Sequence, residues 1–93
     1  MELKDEVRRG EQARSLLENP LYIEAKEIVR QGIIDKWIEC PVRDLEGQHS
    51  LKLMLKLYSD MVGYVEQVLQ TGKLASIQLE SEERTKKLRN AGL

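Results

Sequence analysis

Cysteine and histidine are almost absent from this chain, with Cys40 and His49 the sole examples in 93 residues. One thiol cannot form an internal disulfide, and one histidine with one cysteine is too few for a structural zinc site. Phenylalanine is missing altogether, and Trp37, Tyr22, Tyr58 and Tyr64 are the only aromatic residues. Stacking platforms for single-stranded nucleic acid are therefore not visible. A surplus of one charge is missing too: 15 basic residues stand against 16 acidic ones, for a net charge of −1. A dedicated nucleic-acid binder carries a basic footprint that this balance lacks. No stretch reaches the roughly 18 apolar residues of a membrane span, and the opening MELKDEVRRG has no apolar signal core. The motifs GxGxxG, GxxxxGK and CxxC are absent as well. The expectation is a soluble, intracellular protein in a reducing compartment, with no membrane span, no cofactor, no metal and no small-molecule substrate.

A chain of this length makes one small domain at most. Such a domain buries only about 60–65% of the surface its unfolded chain exposes, so a lone core is marginal. Small domains gain stability from disulfides, metals or oligomerisation. The first two routes lack residues here, which leaves a homo-oligomer as the expectation.

What the chain does have is helical periodicity. Two prolines and six glycines punctuate it. Asn19-Pro20 is a turn signal that separates a first helical segment, Lys4–Glu18, from a second. Leu3, Val7, Ala13, Leu16 and Leu17 give the first segment a loose helical spacing, with Gly10 as a weak point. The second, Leu21–Glu39, is about 19 residues and roughly 28 Å long as a helix. Asn19 suits its N-cap and Pro20 its first turn. Tyr22, Ala25, Val29, Ile33 and Trp37 share one face, which Ile34 and Ile38 widen. Gly32 is the glycine expected to admit another backbone. Cys40-Pro41-Val42-Arg43 ends this helix, and Asp44 is the N-cap expected for the next.

From there the pattern is unusually regular. Leu51, Met54, Leu55, Tyr58, Met61, Val62, Val65, Val68 and Leu69 fill a, d and e positions of nearly three heptads. With Gly72 as the terminating glycine, Asp44–Thr71 makes a helix of about 28 residues and roughly 42 Å. A second apolar set, Leu53, Leu57 and Tyr64, lies off the main stripe, to be covered either by the first helix folding across it or by another copy. After Gly72 the chain turns charged, and from Glu80 on it is expected either as a flexible tail or as a short helix that Ser81-Glu82-Glu83 starts and Asn90-Ala91-Gly92 ends. The expected fold is all-α: an antiparallel hairpin of two long helices, with a short N-terminal helix, in an oligomeric bundle. Residues 1–79 form the helical domain and 80–93 a charged tail.

Little of this is chemistry. A Cys40–His49 nucleophile pair needs a third group to orient the base, and none is apparent. The carboxylates Glu24, Glu27, Asp35, Asp60 and Glu66 are spread as helix-surface charges rather than paired as acid and base, and Glu27 is placed to support Arg30 or Gln31. No catalytic residue is assigned, and the reading is of a protein that is not an enzyme. The interaction face comprises the stripe Leu51 to Leu69 with Tyr22, Val29, Ile33 and Trp37. The basic residues Arg8, Arg9, Lys86, Lys87 and Arg89 are candidate contacts to nucleic acid or an acidic partner.

Three stretches carry a resemblance: RRGEQARSLLENPLYIEA at Arg8–Ala25, PVRDLEGQ at Pro41–Gln48 and YVEQVLQTGKLA at Tyr64–Ala75. Their elements are R-G-x-x-A-x-x-L-L-E-x-P from Arg9 to Pro20, R-D-x-E-G from Arg43 to Gly47, and T-G-K-L-A from Thr71 to Ala75. Together they resemble a family of short helical proteins of tailed bacteriophages, encoded among the head-morphogenesis genes near portal and coat protein. The resemblance covers residues 8 to 79. It departs at Gln48-His49, where the family's turn motif continues with Arg-Glu. It implies a virion or host-cytoplasmic setting and phage head proteins as partners, and it supplies no catalytic residue. Head assembly or a virion accessory role by helix-mediated self-association is the leading expectation. The alternatives are a small DNA-associated regulator or packaging factor, and a modulator that binds a host protein.

Overall fold

The computed structural model describes residues 1–92. Three helices account for nearly all of them: α1, Leu3–Glu18; α2, Pro20–Glu39; and α3, Leu45–Asn90. No strand occurs among the described residues. Leu93, the last residue of the expected tail, lies outside them.

The boundaries follow from local chemistry. Asn19 is extended, with its side-chain oxygen accepting from the backbone N–H groups of Leu21 at 2.9 Å and Tyr22 at 3.2 Å. Pro20 fixes the first turn of α2, where its missing N–H costs nothing. Asp44 caps α3 by accepting from the Gly47 N–H at 2.9 Å. Its carboxylate lies so close over Gly47 that a Cβ there would collide with it. Arg43 to Gly47 is thus a capping turn. Gln48 tightens it, its side-chain amide donating to the carbonyls of Val42 at 2.8 Å and Pro41 at 3.2 Å.

The third helix departs from expectation. It does not stop at Gly72 but runs for 46 residues. The glycine that ends it is Gly92, with φ of +79°. Ser81-Glu82-Glu83 starts no new helix, because α3 passes through it without a break. Glu80, Glu82 and Glu83 stand four residues ahead of Arg84, Lys86 and Lys87, the order that supports an exposed helix. Lys87 and Arg89 also complement the dipole in the last turn.

Gly72 has a different use. A Cβ built on it would sit 2.6 Å from the Cα of Gly10 and 3.0 Å from the carbonyl oxygen of Glu6. A Cβ on Gly10 would reach within 2.8 Å of the Gly72 Cα. The α1 and α3 backbones therefore touch at this pair, and no side chain fits between them. Ala13 and Ala75, each three residues on from its glycine, are buried beside the crossing, Ala75 at 2% exposure. Gly10, expected as a weak point, is the centre of the contact. Gly32, expected to admit another backbone, has nothing within 4 Å of a would-be Cβ.

This placement changes the pairing scheme. The sequence reading made α2 the main neighbour of α3, whereas α1 packs on α3 far more extensively than α2 does. Small residues let α1 approach closely; the large side chains of α2 hold it off. The result is a rod of 74 × 26 × 16 Å with a Cα radius of gyration of 20.8 Å. A compact domain of this length has a radius of about 12 Å. At 1.5 Å per residue α3 alone spans roughly 69 Å and sets the long axis.

Candidate docking surface

The site begins at the turn between α2 and α3. Cys40 to Asp44 reverses the chain, so the end of α2 faces the start of α3. Ile33, Ile34 and Trp37 come from one side, and Leu45, Gln48, His49, Leu51, Lys52 and Leu55 from the other. They line an open groove of about 540 Å³. Ile33 closes its floor at 7% exposure, while Trp37 stands on its wall at 59%. His49 and Lys52 are its only titratable residues, and no carboxylate lines it. Such a lining offers dispersion contacts and apolar burial to whatever enters.

The expected interaction face is only partly covered by its own chain. Tyr22 is half-buried, with its hydroxyl enclosed and unpartnered and the Lys26 ammonium 5.3 Å from its ring centre. Leu51, Tyr58, Val62, Val65, Val68 and Leu69 are half-buried along α3. Val29, Trp37, Met54, Leu55 and Met61 are exposed, as are Leu53, Leu57 and Tyr64 of the second set. The structure brings Ile33 and Trp37 together with Leu51 and Leu55, and it leaves Val29 outside the groove. Leu45 completes the wall and was not legible as part of the face, because it precedes the heptad run.

The basic clusters are not brought together. Arg8 pairs with Asp5 at 3.0 Å. The Arg9 guanidinium donates to the Tyr64 hydroxyl at 2.9 Å and to the Met1 sulfur at 3.4 Å, tying α1 to α3. Lys86, Lys87 and Arg89 lie in the final turns of α3, roughly 33 Å along the helix from Tyr64. The other ion pairs lie within single helices at the surface, such as Glu27–Arg30 at 3.6 Å and Lys56–Asp60 at 2.8 Å, and contribute little.

Cys40 and His49 also take separate places. The half-buried Cys40 thiol donates weakly to the carbonyls of Pro41 and Asp44 and to the Asp44 carboxylate, at 3.8 to 3.9 Å. Desolvation, then the Asp44 charge and its hydrogen bond, raise the thiol above its ordinary value of 9.0. That holds it protonated near neutral pH, the opposite of an activated nucleophile. His49 sits on the groove wall. Among the described residues no group of three or more His, Cys, Asp or Glu is placed to hold a metal, and no helix is long and apolar enough to cross a membrane.

The feature sequence reasoning missed is the crossing. Its signal was present twice, as Gly10-x-x-Ala13 and Gly72-x-x-Ala75. Arg9–Pro20 and Thr71–Ala75 meet at this crossing, and Asp44 within Arg43–Gly47 caps α3. No family model, no curated protein and no solved structure matches this chain.

Proposed function

We propose that this chain is a non-enzymatic assembly protein that associates with itself, and with partner proteins, through the flank where α2 meets α3. The observation that carries this reading is the apolar area the chain leaves open. Its accessible surface is 7667 Å², where a compact monomer of 10.8 kDa exposes about 5,500 Å². The surplus is rich in large apolar side chains on α2 and the first half of α3. Exposed apolar side chains joined in a groove, as Trp37, Leu45 and Leu55 are, suit an interaction site. The resemblance of Arg8–Ala25, Pro41–Gln48 and Tyr64–Ala75 to head-morphogenesis proteins of tailed phages makes head assembly or a virion accessory role the proposed setting. A DNA-associated role draws no support from the placement of Arg9 against Tyr64.

Light scattering coupled to size exclusion tests the association, with oligomers expected at micromolar concentration. A stable, strictly monomeric species would sink the proposal. Mass spectrometry of purified virions tests the setting. A defined copy number is expected of a structural part, and absence from both virions and assembly intermediates removes the head-assembly reading.

A further inference from the structure

We infer that the α2/α3 groove is the seat of a second copy of this chain, the two copies pairing through the same face with both Trp37 side chains covered. This rests on the self-association proposed above and adds to it the two-fold pairing and the anchor.

Area is the first argument. Each chain exposes roughly 2,000 Å² more than a compact monomer of its mass, whereas a standard interface takes about 800 Å² from each partner. One symmetric pairing fits within that surplus.

Position is the second. Among the described residues, fourteen of nineteen exposed large apolar side chains belong to α2, the turn after it and the first half of α3, and three of them, Trp37, Leu45 and Leu55, line the groove itself. At the α1/α3 crossing the backbones touch, and the hollow beside them is smaller, about 300 Å³, with Glu11, Arg14 and Lys73 in its lining.

Charge is the third. A foreign partner selected by charge needs a charged wall to read, and this groove has no carboxylate, one histidine and one lysine. At a net charge of −1, two copies meet with almost no mutual repulsion. A two-fold pairing sets each patch against itself, so every apolar contact is made twice. Trp37, half-open beside Leu51 and Leu55, has the size and position of an interface anchor.

Trp37 is the only tryptophan, so its emission reports this site alone. A dilution series is followed by light scattering and, in parallel, by Trp37 emission and acrylamide quenching. The expected result is a blue shift and a severalfold fall in quenching that track the oligomer fraction. Leu55→Glu is expected to weaken association at least roughly tenfold, since it sets a charge in an apolar contact. Leu74→Glu, at an exposed site outside the groove, leaves association unchanged. Oligomers whose Trp37 stays open to quencher would overturn this inference and leave self-association standing. A chain that is monomeric throughout overturns both. Loss of association in Leu74→Glu but not in Leu55→Glu also overturns the groove assignment. The quenching series uses the unaltered protein, so a variant that fails to fold does not remove the test.

Discussion

The two flanks of α3 are built on opposite principles. Against α1 it presents Gly72 and Ala75, and the partner answers with Gly10 and Ala13. Against α2 it presents Leu45, Leu51 and Leu55, and the partner answers with Ile33 and Trp37. The small-residue flank closes until backbones touch, gaining dispersion contact and excluding everything else. The large-residue flank, which has far more hydrophobic surface to bury, stays ajar. Hydrophobic content alone therefore does not decide where a small chain packs. A long helix with a single layer beside it cannot cover wide side chains, and whatever remains open is available to another molecule.

The largest effect is expected where the backbones meet. Gly72→Leu forces α1 off α3, since even a Cβ has nowhere to go. A loss of at least about 3 kcal/mol is expected, by overpacking at a site that cannot relax without parting the helices. Gly72→Ala is the finer probe. Helix propensity alone makes it stabilising by about 1 kcal/mol, so a measured loss of about 1–3 kcal/mol isolates the steric term. Chemical denaturation monitored by circular dichroism checks both. If Gly72→Ala melts higher than the parent, the helices do not cross at Gly10.

Gly32→Ala is the control on the other flank. Nothing lies within 4 Å of its would-be Cβ, so only propensity acts and stability rises by up to about 1 kcal/mol. A loss there would mean that α2 sits closer to a neighbour than the open flank allows. Between the flanks lies the joint at Asn19. Asn19→Ala removes two cap hydrogen bonds to α2 and is expected to cost about 1 kcal/mol, with fraying confined to the start of α2 in amide exchange.

How much of this was legible can be judged from the glycines. The helical class, the Asn19-Pro20 joint and the Asp44 cap were readable because each depends on residues adjacent in sequence. Gly72 was misread because a glycine after a threonine at the end of a heptad run looks like a stop from within one helix. Its meaning depends on Gly10, 62 positions away, and no local rule reaches that far. The same holds for Gly32, which looks like a site of close approach until its surroundings are known. The apolar face was readable as a face, but not which of its residues the chain covers itself. Met61 and Val62 are neighbours in the same stripe, yet one is exposed and the other half-buried. That division depends on where α1 and α2 lie along α3.

A smaller effect is expected from Tyr64→Phe. It removes the hydroxyl that accepts from Arg9 across the α1/α3 contact at an exposed site. The loss is expected to be about 0.5 kcal/mol, at the low end for a hydrogen bond that water can replace. A loss several times larger would make this tether, and not the glycine pair, the main fastening of the closed flank.

The smallest effect belongs to the turn that sets the open flank's width. The Cys40 thiol holds its proton more tightly when folded, through desolvation and the Asp44 carboxylate. A value raised on folding means that any stability linked to this group is fully present below pH 9.0 and is lost as pH rises through the folded value. Alkylation of Cys40 by iodoacetamide is accordingly expected to be slower than that of a free thiol at pH 8. Asp44→Asn keeps a side chain that caps helices well while deleting the charge, so α3 retains its start and alkylation speeds up. If Asp44→Asn changes neither the rate nor its pH midpoint, the thiol does not face Asp44. The turn would then hold α2 against α3 differently, and the groove beside it would have another shape.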